Sequence, residues 1–170
     1  MKTDLAPPAF AACVVLASLT GCGTTATDEP SGTSRHAAEA TQALSSGIRG
    51  LIRVEGKASD SGPGVQECSG KDRDTYFRIF HKWSFYPASA SDLDAAMQHL
   101  KDGMPEHGWK IVEYGPDTSR NKNLTVVADN DEQKAGVHIT QMKKRNPPKL
   151  SLMVVSGCYR VPEGQKVEHF

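Results

Sequence analysis

The amino-acid sequence predicts an α+β domain, in which helices pack on one face of an antiparallel sheet of about four to five strands. Two stretches place apolar residues at three- and four-residue steps, as amphipathic helices do. An aromatic stretch at residues 75–86 alternates apolar and polar side chains, as half-buried strands do. Four more strand-like stretches follow the second helix with short connections, which favours antiparallel neighbours and a segregated α+β arrangement.

The first helix is predicted to begin at residue 36 and to end within residues 50–56. Its small and apolar residues recur at helical spacing: Ala37, Ala40, Leu44, Ile48, Leu51 and Ile52. Gly47 and Gly50 weaken this helix by up to about 1 kcal/mol each. Residues 57–74 are rich in Gly, Ser, Asp and Pro and are therefore predicted to form a loop, which contains Cys68.

The strongest strand signal is followed directly by the second helix. On the strand, one parity is apolar and Pro87 ends the run: Phe77, Ile79, Trp83 and Phe85. Residues 89–92 offer helix-capping side chains, and Gly103 with Pro105 closes the helix. Its buried stripe is predicted to comprise Leu93, Ala96, Met97, Leu100 and Met104. The remaining strands are predicted at residues 110–114, 124–128, 136–142 and 150–159.

The N-terminus carries the pattern of a bacterial lipoprotein signal. Lys2 is followed by an apolar stretch that is shorter than the about 20 residues of a transmembrane helix. The stretch closes on Leu-Thr-Gly-Cys at residues 19–22, the pattern at which a precursor is cleaved and the new N-terminal cysteine is lipidated. The alternative is an ordinary signal peptide cleaved elsewhere, with Cys22 incidental.

Cleavage before Cys22 would leave about 150 residues, enough for one domain and a tether. The organisation expected is a signal peptide at 1–21, a flexible tether at 22–35, a single α+β domain at 36–160 and a loose tail at 161–170. Acyl chains on Cys22, palmitate among them, would hold the protein at the extracytoplasmic face of the cell membrane.

Charge and cysteine content exclude several classes of function. The 20 basic and 20 acidic residues balance, so no net field draws the protein to nucleic acid. With Cys13 removed and Cys22 lipidated, Cys68 and Cys158 remain as an even pair in an oxidising compartment, which favours a disulfide. Two isolated cysteines do not supply the four ligands of a structural zinc site, and neither a metal nor a cofactor is expected.

These features together resemble the small lipoproteins of high-GC Gram-positive bacteria. The resemblance rests on the Leu-Thr-Gly-Cys signal, the polar tether, the cysteine ahead of an aromatic strand, the helix that runs into Gly108-Trp109, and the final strand ending at Cys158. It covers most of the chain, but only the signal is a specific motif. It implies a cell-surface location and a small α+β domain, and it carries over no catalytic residue.

Histidines are the strongest catalytic candidates, although each has a simpler explanation. His81 lies on the apolar parity of the first strand and His138 in a later strand, so the two could approach each other if those strands paired. A hydrogen-bonded, half-buried ring is the favoured interpretation of both. His99 and His107 lack the i, i+4 spacing of a helical metal pair and are expected at the surface or at a helix end. Ser156 lacks the glycine pattern of a nucleophile elbow.

A binding surface is the other candidate site. Aromatic side chains at the end of the first strand could line a groove, although strand aromatics are more often core: Trp83, Phe85 and Tyr86. The basic loop near residues 143–149 is either simply solvated or contacts anionic lipid headgroups or wall polymers, through Lys143, Lys144, Arg145 and Lys149.

The expected function is a non-catalytic binding or scaffolding module at the cell envelope, anchored in membrane lipid through Cys22, with an unidentified envelope protein or polymer as its partner. The alternative is an extracytoplasmic hydrolase whose histidine and carboxylate groups are brought together only by the fold. A pocket holding His81 or His138 within hydrogen-bond reach of a carboxylate would favour catalysis. Buried rings beneath a smooth sheet would favour binding.

Overall fold

A computed structural model describes residues 29–170, which form two helices and an eight-stranded sheet. In chain order the elements are α1 (Ser34–Ile52), β1 (Gly56–Ala58), β2 (Gly64–Glu67), β3 (Tyr76–Pro87), α2 (Asp92–Gly103), a 3₁₀ turn (Pro105–His107), β4 (Lys110–Pro116), β5 (Leu124–Asn130), β6 (Ala135–Met142), β7 (Lys149–Ser156) and β8 (Tyr159–Arg160). The signal peptide, most of the tether and Cys22 lie outside the described residues.

The sheet is built around the long strand β3. Its order is β1-β3-β7-β6-β5-β4, all pairs are antiparallel, and β2 and β8 also pair with β3. The predicted α+β class is confirmed, but the predicted number of strands is too small. The additional strands β1, β2 and β8 are two to four residues long, so they carry almost no side-chain periodicity and are held by backbone pairing to β3.

Both helices form near their predicted positions. The Thr33 side chain accepts a hydrogen bond from the His36 backbone N–H at 3.3 Å, so α1 starts at Ser34 rather than at residue 36. Arg53 ends α1 in the left-handed conformation. In α2, Asp92 lies in the first turn and Lys101 in the last, the charge order that the helix dipole favours.

The two faces of the sheet differ in what covers them. Alternate residues of β3 are buried beneath the helices, and the same face of the other central strands supplies the main core together with Leu93, Met97 and Leu100 of α2. The opposite face carries Arg78, Phe80 and the residues in register with them, and neither helix packs on it. We refer to this second face as the open face.

A disulfide joins Cys68 and Cys158, as predicted. The Cα atoms are 6.1 Å apart, and the bridge closes a separation of 90 residues. Cys68 directly follows β2, and Cys158 lies between β7 and β8. The bond therefore fastens the segment that feeds β3 to the segment that leaves β7.

The chain enters the domain before residue 36, so the predicted tether is too long at its C-terminal end. The Pro30 carbonyl accepts from the Arg160 N–H, and the Gly32 N–H donates to the Arg160 carbonyl, both at 3.0 Å. Ser31 forms a parallel bridge with Arg160. Residues 30–32 are thus attached to the edge of β8.

The prediction of a loose tail at 161–170 is wrong. Val161 is buried, and the Val167 N–H donates to the Asp74 carbonyl at 3.0 Å. The Ser34 hydroxyl donates to the Glu168 carbonyl at 2.8 Å. These contacts place the tail across the start of α1. They join residues that are far apart in the chain, so the local composition of the tail does not predict them.

Candidate functional site

A small cavity lies between α1, the segment after β1, and β3. Its volume is about 150 Å³, and its lining is almost entirely polar: Gln42, Ser45, Ser46, Arg49, Ala58, Ser59, Asp60, Ser61, His81 and Trp83. About five water molecules occupy this volume in liquid water. It is smaller than the 300–1,000 Å³ typical of pockets for drug-sized ligands. We refer to it as the α1–β3 cavity.

Three residues of this lining each carry a buried side-chain atom that lacks a hydrogen-bond partner within residues 29–170: Ser45 Oγ, His81 Nδ1 and Trp83 Nε1. The residues are only 2%, 7% and 5% exposed. A buried polar atom left unpaired costs about 1–3 kcal/mol, and most such atoms in folded proteins are satisfied. The three residues share one polar lining, which makes this cavity the candidate functional site.

Backbone contacts hold the wall of the cavity in place. The Ser59 N–H donates to the Ser84 carbonyl at 2.8 Å, and the Ser84 N–H donates to the Ser59 hydroxyl at 2.9 Å. The Ser61 hydroxyl donates to the Lys82 carbonyl at 2.8 Å. Residues 59–61 are thereby pinned along β3, which positions the neighbouring Asp60 at the rim.

The hydrogen bond of His81 fixes which of its ring nitrogens is a donor and which is an acceptor. His81 Nε2 lies 2.7 Å from the Ser61 carbonyl oxygen, which can only accept, so Nε2 carries the proton. In the neutral ring Nδ1 is then an acceptor. Trp83 Nε1 is a fixed donor, and the Ser45 hydroxyl can act in either direction.

Opposite charges flank the opening. Arg49 and Asp60 both line the cavity and both are exposed, and neither forms an ion pair within the described part of the chain. The site therefore presents a cation, an anion, a donor and an acceptor around a small volume.

Two members of this site were singled out from the sequence, in different roles. His81 was expected to be hydrogen-bonded and half-buried; its ring is more deeply buried and only one nitrogen is bonded. Trp83 was assigned to a possible surface groove, but it is buried in the core on the helix-covered face and also lines the cavity. Sequence reasoning missed Ser45, Arg49 and Asp60. The sequence did contain a signal for Ser45: it lies four positions after Thr41, on the same buried side of α1.

The expectation that His81 and His138 could approach each other is wrong. His81 pairs with Val154 of β7, and His138 pairs with the adjacent Met153, so the two rings project from opposite faces of the sheet. His138 is exposed, and its Nε2 is 3.5 Å from the Thr140 hydroxyl. Neither histidine has a carboxylate within hydrogen-bond distance among residues 29–170.

His99 and His107 contact the ends of helices, as predicted. His99 Nδ1 is 3.0 Å from the Ile52 carbonyl and so links α2 to the last residue of α1. His107 Nδ1 is 2.9 Å from the Gly103 carbonyl at the end of α2. Ser156 is used structurally, because its hydroxyl accepts from the Ile79 N–H at 2.9 Å and donates to the Gly157 carbonyl at 2.8 Å.

The predicted aromatic and basic surface is not a single site. Phe85 and Trp83 are buried in the core, because their parity faces the helices. Tyr86 has the opposite parity and meets Lys149, whose Nζ lies 5.7 Å from the ring centroid and 3.0 Å from the Ser84 hydroxyl. Of the predicted residues, this pair alone is brought together, on the open face.

The basic loop is partly engaged with α2. Lys143 Nζ is 2.6 Å from a carboxylate oxygen of Asp94, to which the buried Gln141 amide also donates. These two hydrogen bonds hold the pKa of Asp94 below its ordinary value, with Lys143 the larger cause. Lys144 donates to the Asn121 carbonyl, and Arg145 is exposed.

Within residues 29–170, no three His, Cys, Asp or Glu side chains are grouped so as to hold a metal ion, and no helix has the length and apolar character needed to cross a membrane. No protein-family model, curated protein or solved structure matches this chain.

Proposed function

We propose that this protein is a lipid-anchored, extracytoplasmic binding module of the small-lipoprotein type, and that the α1–β3 cavity holds a small polar molecule. The observation that carries the proposal is that three residues of its polar lining each bury a polar atom without a partner among residues 29–170. A bound molecule that pairs with all three would offset the free energy that their burial costs.

The charges at the opening favour a zwitterion about the size of a small amino acid. Its carboxylate would accept from the Arg49 guanidinium and the Trp83 indole N–H, and its ammonium would donate to Asp60 and to His81 Nδ1. The polar lining and the small volume both argue against an apolar or drug-sized ligand.

Binding is favoured over hydrolysis by the way His81 is held. Its Nε2 is bonded to the backbone carbonyl of Ser61, whereas the histidine of a catalytic triad is oriented by a carboxylate. Ser45 also lines the cavity and has a hydroxyl. A serine nucleophile, however, needs a base that a third group orients, and the described residues do not provide such a group. The extracytoplasmic hydrolase remains the second candidate, and turnover abolished by His81→Ala would favour it.

The two tryptophans allow a direct test of the ligand. Free amino acids, their N-acetyl and amide derivatives, and monosaccharides would be titrated while the two indole N–H signals are followed by NMR. We expect a small amino acid to move the Trp83 signal and leave Trp109, which lies outside the cavity, unchanged. N-acetylation or amidation of the ligand should weaken binding at least tenfold, because each modification removes a hydrogen bond to a charged group.

Variants separate the cavity from the rest of the surface. Arg49→Gln should weaken binding about tenfold, whereas Arg145→Gln, an equal charge change on a distant loop, should not. Ser45→Ala should weaken binding and yet raise the free energy of unfolding by about 1 kcal/mol, because it removes an unpaired hydroxyl from a helix interior. No response of the Trp83 signal to any compound at millimolar concentration would mean that water alone serves the three atoms, and the binding proposal would be wrong.

The anchoring part of the proposal rests on residues 19–22. In a high-GC Gram-positive host, wild-type protein should fractionate with membranes and begin at a lipidated Cys22. Cys22→Ala should instead give unprocessed precursor or a released form, whereas Cys13→Ala should change nothing. Recovery of an unmodified Cys22 in a protein cleaved elsewhere would refute the lipoprotein assignment. It would not bear on ligand binding in the α1–β3 cavity, which the titration above tests separately.

A further inference from the structure

Basic residues are concentrated on one part of the open face. On β3, β7 and β8 its positions include Arg78, Lys82, Lys149 and Arg160. The acidic residue of the paired strand β2, Glu67, is in register with Phe77 and so lies on the helix-covered side. At the far edge of the sheet, by contrast, the open face carries Glu113 and Asp129, with Lys110 in register with Asp129.

Apolar side chains lie among these cations. Phe80 and Val155 are cross-strand neighbours, and Met153 beside them is 36% exposed. Together with Gln66, Arg78 and Lys82 they line a shallow depression of about 440 Å³. The Nε of Arg78 is buried there without a hydrogen-bond partner within residues 29–170, and neither Arg78 nor Lys82 forms an ion pair within that range.

From this combination we infer that the open face of β3, β7 and β8 docks on an anionic lipid surface. Basic residues near a bilayer gain from the negative surface potential, and their aliphatic stems can lie along apolar neighbours while the charged ends reach the phosphates. Exposed apolar side chains enter the boundary between headgroups and acyl chains. A soluble anion or a nucleic acid would use the cations but would gain nothing from Met153 and Phe80.

The point at which the chain enters the domain agrees with this orientation. Residues 30–32 bond to Arg160, and Arg160 pairs with Tyr76 at the Arg78 end of β3. If Cys22 is lipidated, the eight residues 22–29 can span at most about 25–30 Å, so the domain stays within reach of the headgroups. The orientation on the cell membrane rests on the proposed anchor, but the affinity of the face for lipid does not.

The test uses the chain from residue 22 onward with Cys22→Ser, which contains every helix and strand described here and lacks both the apolar signal and the lipid. It is sedimented with vesicles of phosphatidylcholine alone or with 30% phosphatidylglycerol, the mole fraction chosen to give a clear negative surface. We expect binding to the anionic vesicles only. The double variant Arg78→Gln/Lys82→Gln should reduce the partition coefficient about 20- to 30-fold, since each basic residue contributes about fivefold near the surface.

Lys144→Gln/Arg145→Gln is the matched control, because it removes the same charge from the basic loop and should change partitioning less than threefold. Met153→Ser should weaken binding without altering its dependence on salt. Equal losses in the two double variants, or no binding to anionic vesicles, would overturn the inference. So would binding to soluble polyphosphate as tight as that to vesicles, since a polyanion would then be the partner. Unchanged thermal unfolding of each variant confirms that the fold is retained.

Discussion

Replacing both Cys68 and Cys158 by alanine is expected to lower the free energy of unfolding by about 4–5 kcal/mol. The bridge closes a separation of 90 residues, and cross-linking removes more chain entropy from the unfolded state as the closed loop lengthens. A loss of this size is a large part of the 5–15 kcal/mol that stabilises a typical domain. Urea unfolding of the oxidised wild type and of the double variant measures it.

Reduced wild type provides the control for this experiment. Under a reductant the wild type should unfold at nearly the same urea concentration as the double alanine variant, because both lack the covalent link. The prediction fails if the oxidised protein and the variant differ by less than about 1 kcal/mol. Peptide mapping without reduction should recover the fragment that joins residues 68 and 158.

Leu152→Ala should be the most damaging of the single truncations on β7, at about 2–5 kcal/mol. Leu152 is 0% exposed, lies between Trp83 of β3 and Ile139 of β6, and faces the helices. Its removal leaves a cavity in addition to the lost transfer free energy.

The adjacent residue on the same strand is the matched control. Met153→Ala truncates a side chain of similar volume on the open face, which neither α1 nor α2 covers, and should cost less than about 1 kcal/mol. Thermal and urea unfolding of both variants measures the difference. Equal destabilisation would mean that the open face is covered by a further element, and the assignment of the two faces would have to be revised.

The elements that the sequence predicted correctly are those with a strong local signal. The alternation along β3 follows from a sheet with one covered face, and the stripe of α2 repeats over three turns, so both are visible in a short window. The disulfide followed from counting the cysteines that the predicted processing would leave, in an expected oxidising compartment. These inferences needed no knowledge of distant contacts.

The errors share one cause, which is that their determinants lie elsewhere in the chain. Strands β1 and β2 sit in a stretch whose composition indicates a loop, and they exist because β3 offers its free backbone edge. The tail at 161–170 looks unstructured until Asp74 and Ser34 supply its hydrogen-bond partners. Phe85 and Tyr86 are neighbours in sequence, but the pleat sends them to opposite faces.

The sequence by itself determined the α+β class, the positions of the long elements, the cysteine pair and the prediction of an anchored envelope protein, because each depends on local periodicity, composition or a short motif. Only the tertiary structure brought Ser45 of α1, Asp60 of a loop and His81 of β3 to one cavity. Only the sheet register placed Met153 of β7 on the same face as Arg78 and Lys82 of β3. Both sites are made by contacts between segments far apart in the chain, and no local pattern encodes which polar atoms such contacts will bury without a partner.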